Sequence, residues 1–330
     1  MGLFSRKQPG KGQQPGGAPK PAIDKAQRDP AARQLITALE RHDWPSVRGF
    51  LQSVRDPDDH AYYVSVCADV DGVQDWIGEW VAAEPESTLP LLVQGAHGVF
   101  WAWEARGAAR AEQTSRDQFD LFFKRLRFAE NCLDEVADRD PHDTTARAFL
   151  LTSGVGRQVD MEEEQRRFDD VVKRHALHRY AHSAMQKYLC KKWFGSHEQM
   201  FAFARRTSGY APPGSPLHGG LVEAHIEMWL DLPSGDDVAY MQRPEVGAEI
   251  RMAAERSIWH PAYQPRLGWP GLHNSFAFAF WQCGDTRAAA DQFRLIGDAY
   301  ITAHPWHYRG GGDAVDYYLD ARQRTVGSGV

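Results

Sequence analysis

Residues 274–305 read NSFAFAFWQCGDTRAAADQFRLIGDAYITAHP, and this stretch decides the fold. Phe276-Ala-Phe-Ala-Phe280 alternates as a strand would, yet Phe276, Phe280 and Cys283 also share a helical face. The intervening alanines favour helix. Gly284-Asp285 then interrupts the pattern, after which Ala289, Phe293, Ile296 and Tyr300 recur at helical spacing until Pro305 closes the second element. The stretch predicts one helical hairpin.

The same period runs through the chain from residue 31. Leu89, Leu92, Ala96, Phe100 and Trp103 step by three and four, as do Phe119, Phe122, Leu126, Ala129, Leu133 and Val136. Asp56-Pro57, Glu84-Pro85, Asp140-Pro141 and His304-Pro305 punctuate the helices, because proline disfavours helical geometry before it and suits a first turn after it. Asp160-x-x-Glu163 and Ser196-x-x-Gln199 have the form of capping boxes. Val136, His142 and Ala148 reappear 36 residues on as Val172, His178 and Ala184, a period near the roughly 34 residues of a tetratricopeptide unit.

The expected fold is therefore all-α, a superhelical array of helical hairpins or tetratricopeptide-like solenoid. Stacked hairpins bury a core between neighbours and leave a concave face for binding. The Gly/Pro-rich stretch 208–220 suggests a boundary between sub-arrays at 31–207 and 208–330, and 231–270 reads as a longer connection. Residues 1–30, with five prolines and five glycines, read as a disordered basic tail. Arg6, Lys7, Lys11 and Lys20 in it could also serve as a weak electrostatic tether.

Charge and composition restrict the function classes. The tail is +4 and the chain −6, which leaves −10 on the remaining 300 residues. An acidic body argues against nucleic-acid binding. Four separated cysteines, Cys67, Cys132, Cys190 and Cys283, fit reduced thiols in a cytoplasmic protein. No apolar run approaches the roughly 20 residues that span a bilayer, so membrane insertion is not expected, and no secretory signal is read at Met1–Lys7.

Leu189-Cys-Lys-Lys-Trp-Phe-Gly-Ser196, followed by Met200-Phe-Ala-Phe-Ala-Arg205, resembles an uncharacterised bacterial family of tetratricopeptide-like helical-repeat proteins. In that family a Lys-Trp-Gly-Gly-Ser turn precedes a helix ending in Phe-Ala-Arg. Lys192, Trp193, Gly195 and Ser196 match, and Phe194 replaces the first glycine. The preceding helix, with His178, Ala181, His182, Ser183, Ala184 and Met185, is similar too. The resemblance covers residues 90–305; it implies an all-helical fold and very little about activity.

Trp193, Gly195, Ser196, His178 and His182 are the candidate binding residues. Gly195 suits a tight turn, Ser196 a helix cap and Trp193 a gap between hairpins, while the same loop could offer a partner a stacking surface. His178 and His182 share a helix face at metal-ligand spacing, with His175 or His197 as a third ligand, although packing histidines are the favoured reading. In Asp56-Pro-Asp-Asp-His60, Asp58 or Asp59 reads as a helix cap ahead of a cation ligand. Glu162–Glu164 suit a helix's first turn. Arg309-Gly-Gly-Gly-Asp313 reads as a break and not as a phosphate loop. No catalytic constellation and no cofactor is read.

The expected function is a protein–protein interaction scaffold or adaptor that takes a peptide or partner helix on a concave surface. The alternative is a small-ligand or metal-binding protein, or an enzyme, with a pocket between the two sub-arrays. A third reading is an inhibitor of a basic target, which the acidic body would suit.

Overall fold

The structure, a computed structural model, describes residues 19–107, 114–308 and 313–327. Sixteen α-helices and no strands are present among them. Asp29 accepts a hydrogen bond from the Ala32 amide and Pro30 opens the first helix, α1 (Pro30–Glu40). The same device recurs: Asp43 caps α2 (Trp44–Ser53), and Asp56 caps α3 (Pro57–Ala68) by accepting from Asp58 and Asp59. The cap of α3 is thus Asp56 itself and neither of the two aspartates first considered. A short helix α4 (Ile77–Ala83) leads to α5 (Leu89–Arg106) and α6 (Arg116–Arg139).

α5 and α6 approach closely because Gly95 and Gly98 face α6. A Cβ on Gly95 would lie 2.8 Å from Leu133, and one on Gly98 would lie 3.0 Å from Ala129. Helix α6 carries the reciprocal capping box, Ser115 with Gln118. Two further hairpins follow, pairing α6 with α7 (Thr145–Arg157) and α8 (Met161–Arg174) with α9 (Arg179–Tyr188). Beyond them come α10 (His197–Tyr210) and α11 (Gly220–Asp231).

Where the sequence promised only a connection, two helices form, α12 (Asp236–Met241) and α13 (Pro244–Arg256). Val246, Ile250 and Ala253 supply α13 with a buried stripe of only two helical steps, too short to stand out among polar neighbours. The Phe276–Phe280 segment is helical, within α14 (Trp269–Gln282), and all five of its residues are buried. Gly284 takes a φ of +75°, Asp285 caps the Ala288 amide, and α15 (Thr286–Ile296) returns antiparallel in the hairpin. That helix ends at Gly297, φ +54°, eight residues before Pro305, so Pro305 does not close it. Tyr300 lies outside the helix and packs on Trp269 at 4.7 Å. The last helix is α16 (Ala314–Val326), capped by Asp313.

Of the expected tail, residues 1–18 lie outside the described residues, as does Arg309–Gly312. Residues 19–29 belong to the folded body. Ala26 is buried, Asp24 accepts from the Ala26 and Arg28 amides, and Lys20 pairs with Asp313 and Asp316 at 3.1 and 2.7 Å.

The core divides into two apolar clusters. One runs from Ala26 to Leu150, the other from Ala148 to Ala321, and Trp103 and Tyr180 pack against both. In a strict one-dimensional stack each unit touches only its neighbours. Here Asp58 of α3 accepts the Arg179 amide of α9 at 2.7 Å, Arg179 donates on to the Leu267 carbonyl at 2.8 Å, and Gly268 lies beside Tyr62. Helices more than a hundred residues apart therefore meet directly.

Candidate binding site

Trp103, shared by the two clusters, stands at the centre of a half-exposed polar and aromatic face. It is edge-on to Trp193 with ring centroids 5.4 Å apart, and the Arg106 guanidinium lies 5.6 and 5.7 Å from the two indoles. The indole Nε1–H groups of both tryptophans are buried and make no hydrogen bond. Lys187 of α9 extends over Trp103 with its ammonium 5.5 Å from the ring.

The loop after α9 places Trp193 here for steric reasons. A Cβ on Gly195 would fall 2.2 Å from the Leu189 carbonyl oxygen, so only glycine lets the chain turn back at that point. Ser196 then accepts from the Gln199 amide at 3.2 Å and starts α10. Gly195 and Ser196 are therefore positioning residues, and Trp193 is what they present.

On the other side of Lys187 two ion pairs line the face. Lys192 binds Glu227 of α11 at 2.6 Å, and Tyr308 donates to the same carboxylate at 3.3 Å. His304 binds Glu223 at 2.8 Å. Burial acts against both charges of this second pair. The contact overrides it, raising the imidazole and lowering the carboxyl. Lys187 differs from these groups. It is exposed, makes no hydrogen bond or ion pair among the described residues, and yet its pKa is lowered, first by desolvation, with Lys192 and Arg106 adding to the fall and Glu227 opposing it. Protein thus packs around an ammonium that still meets water.

The histidines fall elsewhere. His178 caps α9 by accepting from the Ala181 amide at Nδ1, is wholly buried, and burial lowers its pKa to about 4. Its Nε2 has no partner. His182 spends both ring nitrogens inside the protein, donating to the His178 carbonyl at 2.8 Å and accepting from the Tyr210 hydroxyl at 2.5 Å. His197 binds Asp231 at 2.9 Å, and His175 lies 3.4 Å from Asp58. No group of three or more His, Cys, Asp or Glu side chains is arranged to hold a metal among the described residues.

A concavity of about 290 Å³ lies beside the Asp58–Arg179 contact and includes His175, Gly214, Gln264 and Arg266. Its charges are mutually paired: Asp58 with Arg179 and His175, and Asp56 with Arg266 at 3.7 Å.

The residues that sequence reasoning missed are Trp103, Arg106, Lys187, Glu223 and His304. Lys187 follows His182 by five positions and stands out in no motif; only the fold brings it to Trp103. No helix among the described residues is long and apolar enough to cross a membrane. Compared with protein-family models, curated proteins and solved structures, the chain matches none.

Proposed function

We propose that the chain is a helical binding module, a scaffold or adaptor that takes a peptide or partner helix on the face built around Trp103, Trp193 and Lys187. The observation that carries this reading is that face itself. α5, α9, the loop after it, α11 and residues 304–308 converge on it with two indole rings and one ammonium that makes no ion pair. Tryptophan and arginine, here Trp103, Trp193 and Arg106, are among the side chains enriched as anchors of protein interfaces. The step from helical array to partner binding is otherwise an analogy of fold.

The tetratricopeptide-like solenoid belongs to the same proposal. Val136, His142 and Ala148 occupy the end of α6, the turn and α7, and Val172, His178 and Ala184 occupy the corresponding places in α8 and α9. That correspondence supports a repeated hairpin, and with it the resemblance to the bacterial helical-repeat family. The contacts of α3 with α9 would make it an array folded back on itself.

Quantitative affinity capture with the full chain tests the reading. One near-stoichiometric partner is expected, lost with Lys187→Glu or Trp193→Ala and kept with Glu162→Lys on an exposed turn of α8. Capture that survives both substitutions in folded protein sinks it.

A further inference from the structure

Charge pairing at this face is uneven. Glu227 is matched by Lys192 and Glu223 by His304, so the two α11 carboxylates on this face are already engaged. Lys187 makes no ion pair of its own: Arg106 and Lys187 lie 5.6 and 5.5 Å from the same Trp103 ring, and the nearby Glu227, which favours the ammonium, is already bonded to Lys192. Cations crowded in this way repel one another, and a bound anion relieves that repulsion while supplying the ligand that the ammonium lacks. The surrounding Trp103 and Trp193 offer apolar ring surface, their N–H groups being buried.

Resting on the reading above, we infer that the segment bound at this face carries a side-chain carboxylate, a Glu or Asp flanked by apolar residues, and that it seats against Lys187. A glutamate or aspartate on an apolar segment matches both halves of the surface, the ammonium through its oxygens and the indoles through its neighbours. Lysine is a point donor that accepts a single carboxylate oxygen without the fork geometry of arginine. The whole chain carries −6, so this attraction is local. It acts within a screening length of about 8–10 Å and does not steer an acidic partner from afar.

The test uses two fluorescein-labelled peptides with the full chain, one alternating Glu and Tyr and one with Gln in place of every Glu. Anisotropy is expected to show the Glu peptide binding about tenfold more tightly, a difference of about 1.4 kcal/mol. Lys187→Met should erase the difference, Lys187→Arg should keep most of it, and Lys25→Met should leave it intact. Thermal melts of each variant establish that it folds. Equal binding of the two peptides, binding of neither, or indifference to Lys187→Met overturns the inference. Inorganic phosphate that displaces the peptide and registers on Lys187 as strongly as the peptide does makes this a small-anion site instead, which also overturns the peptide source. If the peptides fail while partner capture still depends on Trp193, the binding reading survives without its acidic ligand. If capture is indifferent as well, both are lost.

Discussion

Glu164 is the side chain whose environment departs furthest from its chemistry. It is fully buried in α8, against Gly154, and neither carboxylate oxygen has a hydrogen-bond partner. Desolvation pushes its pKa up to about 8, with Glu163 and Glu130 adding to the rise and Arg167 opposing it. The folded protein therefore holds this proton at neutral pH, whereas an unfolded glutamate releases it near pH 4.5. Between those values the unfolded state binds fewer protons, so stability falls as pH rises and levels off above about 8. The loss across the interval is on the order of 3–5 kcal/mol. Urea titrations at pH 5 and pH 8 should show it, and Glu164→Met should flatten the difference. A wild-type slope that persists in the variant would assign the effect to other groups. Periodicity placed Glu164 in a first turn but could not reveal it as buried, because the apolar neighbours come from α7 and the following connection.

At the scale of elements, the loop between α9 and α10 separates two kinds of contribution. Ser196→Ala removes one cap hydrogen bond and should cost about 1 kcal/mol. Gly195→Ala must displace backbone at Leu189, 2.2 Å from the new Cβ, and should cost more, at least about 2 kcal/mol. Denaturation midpoints of the two variants give the order directly; the reverse order would mean that the loop is softer than its geometry indicates. Elements were legible in the sequence wherever a cap and a stripe coincided, as at Asp285 and Ala289–Phe293–Ile296. They were obscure where the stripe was short, as in α13, and where a proline drew the end of α15 past the glycine that sets it. Ser115–Gln118 is the complete capping box, and it too went unread.

Across the whole molecule, Asp58 joins what the sequence leaves far apart. It accepts the Arg179 amide at 2.7 Å and pairs with the Arg179 guanidinium at 3.3 Å, fastening α3 to α9. Asp58→Ala leaves a helix-end amide without its acceptor and takes one partner from the Arg179 guanidinium, which keeps the Leu267 carbonyl and Asp59, at a cost of roughly 1–3 kcal/mol. Hydrogen exchange at the Arg179 amide should quicken well beyond that at the Ala288 amide of α15. Equal changes at both would show that the contact is incidental to the tertiary arrangement. Contacts of this kind, and the meeting of Trp103 with Lys187 and Trp193, arise from the packing of many helices. Neither period nor motif encodes them, which is why the all-α class was legible and the binding face only at Trp193 and its loop.

The most direct test of that face is a photo-crosslinking residue installed at position 193 and, separately, at the exposed Phe128 of α6, with irradiation in the native host. One dominant crosslinked protein is expected from position 193, diminished when Lys187→Glu is added, and none of it from position 128. No adduct at 193, or the same adducts from both positions, would contradict it.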